Sequence, residues 1–179
     1  MPEKRHFLWI DMEMSGLDVE KCHILEVAAI VTNENFESLE EFQAIVYQPD
    51  SVLDAMDTWC KETHGKSGLT EAVKKGELEA QVEQKLVSLV DRYFPATEKL
   101  VLCGNSIGQD RKFIDKYMPL LAKRLHYRMV DVTSFKEIFR TKYSLEYKKA
   151  NSHRALDDIH ESINELRYYL SYVQAPPHN

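Results

Sequence analysis

Phe7-Leu8-Trp9-Ile10-Asp11-Met12-Glu13 is apolar at odd and even positions alike until its end. That is the pattern of a central strand covered on both faces. Its two carboxylates, Asp11 and Glu13, stand two residues apart, and the period of a strand turns both to the same side. Like charges held so close repel, which raises one pKa or weakens the strand unless a cation compensates. The bland alternative is a strand that stops at Asp11 and leaves Glu13 solvated. A D-x-E motif alone does not decide between the two.

Outward from this strand, Gly16 permits a turn, residues 23–32 make a second buried strand and residues 41–47 a third. Three strands in quick succession predict an antiparallel meander. Residues 52–63 and 77–93 then take helical spacing, the second ended by Pro95. Residues 100–103 form a short strand, and Gly104-Asn105-Ser106 is a turn and candidate N-cap for a helix carrying Phe113, Ile114 and Tyr117. Residues 127–132 give a fifth strand, with Thr133 or Ser134 placed to cap the next helix. The last helix, about 154–172, has Leu156, Ile159, Ile163, Leu166 and Leu170 on one stripe, and the Pro-rich tail from Ala175 is expected to fray. The expected fold is α/β, a mixed five-stranded sheet (an antiparallel meander followed by β-α-β-α) flanked by helices. With 179 residues, no repeat and no linker, one domain over 1–179 is expected, with its core at about 6–172.

Composition narrows the function. The formal charge of −6 argues against a protein that grips long nucleic acid in a basic groove. Two divalent cations would bring that charge to −2 and make the local field favourable to phosphate. A short substrate in one metal-lined pocket is therefore compatible with an acidic chain. The apolar stretch Phe7 to Ile10 is far too brief for a signal sequence or a membrane span, so no membrane partner and a cytoplasmic location are the default expectations. Cys22, Cys60 and Cys103 are scattered, with no C-x-x-C pair, and are expected to be reduced and semi-buried.

Other acidic residues fall where the first pair could use them. Asp110 lies in the first turn of the helix after the fourth strand, a commonplace position near the positive end of a helix dipole, but also at the strand-end edge where open sheets place their sites. In the last helix, at about 100° per residue, Asp158 lies roughly 115° from the centre of the apolar stripe and Asp157 roughly 145°. Asp158 is the better ligand, and Asp157 faces water or supports the helix start. His153, five residues before Asp158, would point about 140° away were both helical, so it belongs to the loop or cap before the helix, where a base can reach an attacking water. The other six histidines lack such a partner and are surface or packing residues by default.

Together these residues resemble the DEDDh (DnaQ-like) 3′-to-5′ exonucleases, and within them the oligoribonucleases. The shared pattern is the D-x-E strand, a central Asp and a final H-x-x-x-x-D, His153-Arg154-Ala155-Leu156-Asp157-Asp158. Longer blocks carry the resemblance further: residues 9–17, 59–70 (Trp59-Cys60-Lys61-Glu62-Thr63-His64 and onward), Gly104-Asn105-Ser106, His126-Tyr127-Arg128-Met129-Val130-Asp131-Val132 and 152–159. Two departures, Ser15 for the common Thr and Thr133-Ser134 for the usual Ser-Thr, keep their hydroxyls.

The resemblance implies a ribonuclease-H-like fold, a homodimer, two divalent cations (Mg²⁺ or Mn²⁺) on Asp11, Glu13, Asp110 and Asp158, and very short single-stranded RNA as substrate. His153 would be the general base. Leu17 would wedge between the last two bases, with Trp59 and His64 lining the 3′ nucleotide. Tyr127 would reach the partner subunit's active site and stack on a base, while Ser106, Arg128, Thr133 and Ser134 close around a 5′ phosphate. On residue chemistry alone, Trp59 and Leu17 are equally readable as core or patch residues, Tyr127 as an edge-strand aromatic and Arg128 as a surface cation. Two rivals follow: a DEDDh enzyme that trims DNA or structured RNA 3′ ends, and a noncatalytic RNA binder. A binder has no need of carboxylates that repel one another.

Overall fold

The computed structural model describes residues 6–148 and 154–174. Along them run β1 (Phe7–Met14), β2 (Ile24–Thr32), β3 (Ser38–Ile45), α1 (Asp50–Asp54), α2 (Thr58–Lys66), α3 (Leu69–Val73) and α4 (Glu79–Tyr93). There follow β4 (Leu100–Gly104), α5 (Gly108–Tyr117), α6 (Pro119–Ala122), β5 (Leu125–Asp131), α7 (Val132–Tyr143) and α8 (Ala155–Leu170). The strands make one sheet in the order β3-β2-β1-β4-β5. β1, β2 and β3 are antiparallel neighbours, and β4 and β5 run parallel to β1. This is the expected mixed sheet with β1 at its centre. His153 and the tail from Ala175 lie outside the described residues.

The two faces of β1 feed different cores, which is what an all-apolar strand requires. Leu8, Ile10 and Met12 pack with Leu86, Leu89 and Val90 of α4 and Phe113 and Ile114 of α5. Trp9 faces the other way, against Ala155, Ile159, Ile163 and Leu166 of α8. Asp11 and Glu13 share the parity of Trp9, so they emerge on the face that α8 covers. A third cluster, Leu53, Met56, Cys60, Leu69 and Val73 on Leu25, seats α1 to α3 beside the start of β2. β4 comes close enough to β1 that a Cβ on Gly104 would lie 2.8 Å from the Ile10 carbonyl oxygen.

Several boundaries differ from expectation for identifiable reasons. The single helix foreseen over 52–63 is two, because Asp57 takes an extended conformation (φ −68°, ψ 171°) and its side chain accepts from the Cys60 N–H, starting α2 afresh. β3 begins and ends earlier than 41–47, since its ladder with β2 runs from Thr32↔Ser38 to Glu26↔Ile45. β5 starts at Leu125, not Tyr127, and its pairing Gly104↔Asp131 leaves Val132 to open α7. The α7 cap is therefore Asp131, accepting from Thr133 N–H, and neither Thr133 nor Ser134. Ser106 does not cap α5 either: it adopts a left-handed φ of 48°, and α5 follows Ile107 with no side-chain cap. The short helices α3 and α6 were not foreseen.

Candidate active site

The site grows from the end of β1. Asp11 and Glu13 project from the strand, and the first turn of α8 delivers Asp158 to them. One carboxylate oxygen from each lies within 4.8 Å of the others. Asp157, its neighbour on the helix, is exposed as the angular argument required. Asp110 stands in the first turn of α5, buried, with Oδ1 accepting the Met12 N–H at 3.0 Å. It thus bonds to the strand between the two β1 carboxylates. The structure brings Asp11, Glu13 and Asp158 into one cluster, with Asp110 beside it.

Electrostatics make this an unfavourable place for bare charge. Burial, then the charges of Asp158, Glu26 and Asp110, push the Glu13 carboxyl up to about 8, with Arg154 pulling the other way. Burial likewise raises Asp110 above the ordinary carboxylate range, against the lowering effect of its own N–H and that of Met12. Three carboxylates converging where at least one would keep a proton fit a divalent cation, which replaces that proton with stronger attraction.

Beside the cluster opens a cavity of about 450 Å³, lined by Met12, Glu13, Met14, Gly16, Leu17, Asp57, Trp59, Cys60 and His64. Three expected substrate residues meet here. Leu17 is 75% exposed and Trp59 61% exposed, which removes the reading of either as core. His64 is buried, with Nε2 2.9 Å from the Met14 carbonyl oxygen and Nδ1 3.9 Å from the Glu13 carboxylate. The other expected set gathers at the β4–α5 turn and β5. Ser106 N–H donates to Asp131 Oδ1 and to Thr133 Oγ1, both at 2.9 Å, and the Ser106 and Thr133 hydroxyls are 3.1 Å apart. On the free edge of the sheet Tyr127 is 76% exposed, and Arg128 Nε donates to its hydroxyl at 3.2 Å.

Sequence reasoning missed the residues that hold these groups in place. Glu26, fully buried in β2 and paired in register with Glu13, accepts from Arg154 Nη2 at 2.9 Å and from Gln43 Nε2 at 2.6 Å. It also accepts from Ala155 N–H at 3.4 Å, and so serves the start of α8 from another element. Asn105 Nδ2 donates to Ser162 Oγ at 2.7 Å and Glu165 Oε2 at 3.1 Å, tying the β4–α5 turn to α8. A signal was present for one of them: Glu26 is the one charge within an otherwise apolar strand, whereas Glu165 lies roughly 140° from the centre of the apolar stripe of the last helix and gave none. Buried charges demand partners.

The chain is similar to known proteins in sequence and in fold. The Exonuclease (RNase_T) family profile matches residues 8–166. The mitochondrial oligoribonuclease of Homo sapiens is 48% identical over 175 residues, covering 94% of this chain and 73% of that protein. The oligoribonuclease of Bordetella pertussis is 49% identical, covering 95% of this chain and 96% of its own. Among solved structures, exonuclease I from Methylocaldum szegediense superposes with a TM-score of 0.74 at 15% identity, covering 93% of this chain but 40% of that one. The zinc-bound complex of E. coli exonuclease I with single-stranded DNA gives 0.73 at 17% identity, over 94% and 41%. The chain thus spans about two-fifths of those structures, and at such identity they speak for the fold alone. Profile and relatives show that this chain belongs to the exonuclease family, among its oligoribonucleases.

Proposed function

We propose that the protein is a metal-dependent 3′-to-5′ exoribonuclease that hydrolyses very short RNA, dinucleotides to a few nucleotides, to nucleoside 5′-monophosphates. The observation that carries this reading is the carboxylate cluster of Asp11, Glu13 and Asp158 beside a cavity of about 450 Å³, of which Glu13 forms part of the lining. Trimming of DNA or structured RNA ends is less favoured. The relatives at 48% and 49% identity bear the name oligoribonuclease, and the chain's charge of −6 offers no track for a long polymer.

In this reading Asp11, Glu13 and Asp158 hold two divalent cations, Mg²⁺ or Mn²⁺, with Asp110 completing the set. Bound there, such ions supply an activated water and stabilise charge on the leaving oxygen. The water oxygen bonds to phosphorus, the P–O3′ bond breaks, and the freed 3′ oxygen takes up a proton. His153 accepts the proton of the water; an imidazole, with a reference pKa of ~6.5, suits that task near neutral pH. Trp59 and His64 line the terminal nucleotide, and Leu17 separates its base from the next. Ser106, Arg128, Thr133 and Ser134 receive the 5′ phosphate, which limits length, and Tyr127 stacks on a base in the other subunit of a homodimer. The catalytic unit is a single domain with its core at about residues 6–172, and the family match over 8–166 supports that extent. Among the described residues no helix is long and apolar enough to cross a membrane, and we place the enzyme in the cytoplasm.

Magnitudes assign the larger share to positioned charge. A general base contributes ~10²- to 10⁴-fold, whereas enzymes commonly reach ~10⁶-fold or more. Calorimetric titration with Mn²⁺ alongside single-turnover cleavage of a dinucleotide separates the roles. His153→Ala retains metal affinity and loses about 10²- to 10⁴-fold in rate; Asp11→Ala loses both. Normal metal affinity in Asp11→Ala overturns the assignment.

A further inference from the structure

The segment 15–23 that carries Leu17 is held by α5, the helix that also carries Asp110. Gln109 Nε2 donates to the Leu17 carbonyl oxygen at 2.6 Å. About two turns further on, Lys116 Nζ donates to the Val19 carbonyl at 2.6 Å and the Tyr117 hydroxyl to the Cys22 carbonyl at 2.7 Å. The segment closes on itself at its base, where Ser15 N–H donates to the His23 carbonyl at 2.9 Å and His23 N–H to Ser15 Oγ at 2.9 Å, and in a turn on Asp18, whose carbonyl accepts from Lys21 N–H at 3.0 Å and Cys22 N–H at 2.8 Å; within the segment no such bond is made to Leu17. Next to that base, Gly16 has a φ of +155° and a Cβ there would lie 2.7 Å from Cys22 Sγ. With its side chain 75% exposed, Leu17 is anchored through its backbone.

Gln109 and Asp110 are consecutive residues that reach two points of one chain: Asp110 accepts from Met12 N–H, between Asp11 and Glu13, and Gln109 donates to Leu17. One rigid helical turn therefore ties the carboxylates to the apolar tip. A wedge grips the last base only if it stands at a fixed place relative to the rest of the site, and a displaced wedge weakens binding of ground state and transition state alike. We infer that Gln109 is a positioning residue for substrate length, setting the place of Leu17 relative to the metal-binding carboxylates through its hydrogen bond to the Leu17 carbonyl. The inference rests on the reading of Leu17 as the base wedge.

The test is a double-mutant cycle on a labelled RNA dinucleotide and pentanucleotide, with Gln109→Met, which keeps the size and removes the donor, Leu17→Ala, and the pair. Loss of one exposed neutral hydrogen bond predicts a rise in KM of about fivefold in Gln109→Met, with kcat within about twofold of wild type. The preference for dinucleotide over pentanucleotide falls in parallel, and the melting temperature is unchanged. In the Leu17→Ala background, Gln109→Met adds nothing. Equal KM effects in both backgrounds, no KM effect in the wild-type background, or a joint fall of kcat and melting temperature each overturn the role of Gln109. If Leu17→Ala itself leaves KM and length preference unchanged, the wedge reading fails, a result separable from the others because it is measured in that single variant.

Discussion

Glu13 sits where three other carboxylates, Asp158, Glu26 and Asp110, raise its pKa on top of the effect of burial. Its ordinary value is 4.5 and its folded value about 8. Below the first, folded and unfolded chains both hold the proton; between the two, only the unfolded chain gives it up. The metal-free protein therefore loses stability as pH rises from about 4.5 to about 8. Removing the charge should reverse this. In chelator at pH 8, Glu13→Gln is expected to melt roughly 5 °C above wild type, and at pH 5 the gap should narrow. Added Mn²⁺ should raise wild type and leave the variant behind. Thermal scans at the two pH values decide it, and a variant that melts below wild type in chelator at pH 8 contradicts the account. The D-x-E pair was legible in sequence because a strand's period of two is rigid; Glu26, which adds to the same field, was not, because its partners Arg154 and Gln43 are distant in the chain.

Elements were legible where a period was long and uniform. β2, buried along all nine residues, and α8, whose stripe placed Asp158 and Asp157 on different sides, follow from spacing alone. Where polar side chains set boundaries, spacing was insufficient: Asp57 cuts a helix in two and Asp131 takes the cap assigned to Thr133 or Ser134. The seat of α8 shows the same dependence on polar partners. Arg154 precedes the helix and its guanidinium reaches the fully buried Glu26, which also receives Ala155 N–H. Breaking a buried pair by removing one partner costs about 3 kcal/mol or more, while neutralising both costs far less. Arg154→Met should lower the melting temperature by roughly 5 to 10 °C. In Arg154→Met/Glu26→Gln, where the uncharged side chain still accepts from Gln43 and Ala155, more than half of that loss should be recovered. Denaturation of the two variants measures this; additive losses would show that Arg154 and Glu26 are not coupled.

Across the molecule, the sheet sets what the site can do. β1 lies between an antiparallel neighbour and a parallel one, and its end gathers carboxylates from β1, the start of α5 and the start of α8. α2 adds a wall with Trp59 and His64, and the segment after β1 adds Leu17, so the cavity opens next to the Glu13 carboxylate, where the proposed function seats the terminal nucleotide. The chain's net charge of −6 is in keeping with a substrate bound by its ends and not along a track. The chemistry was visible in sequence through the carboxylates. The length rule depends on surfaces such as Leu17, Trp59 and Tyr127, whose exposure no spacing could reveal. The most direct measurement of the central claim is initial cleavage rate on end-labelled RNAs of two to about twenty nucleotides, with Mg²⁺, with Mn²⁺ and with chelator. The account predicts fastest cleavage of dinucleotides, a steep fall with length and no cleavage in chelator; equal rates on long RNA or DNA, or cleavage that persists without divalent metal, would contradict it.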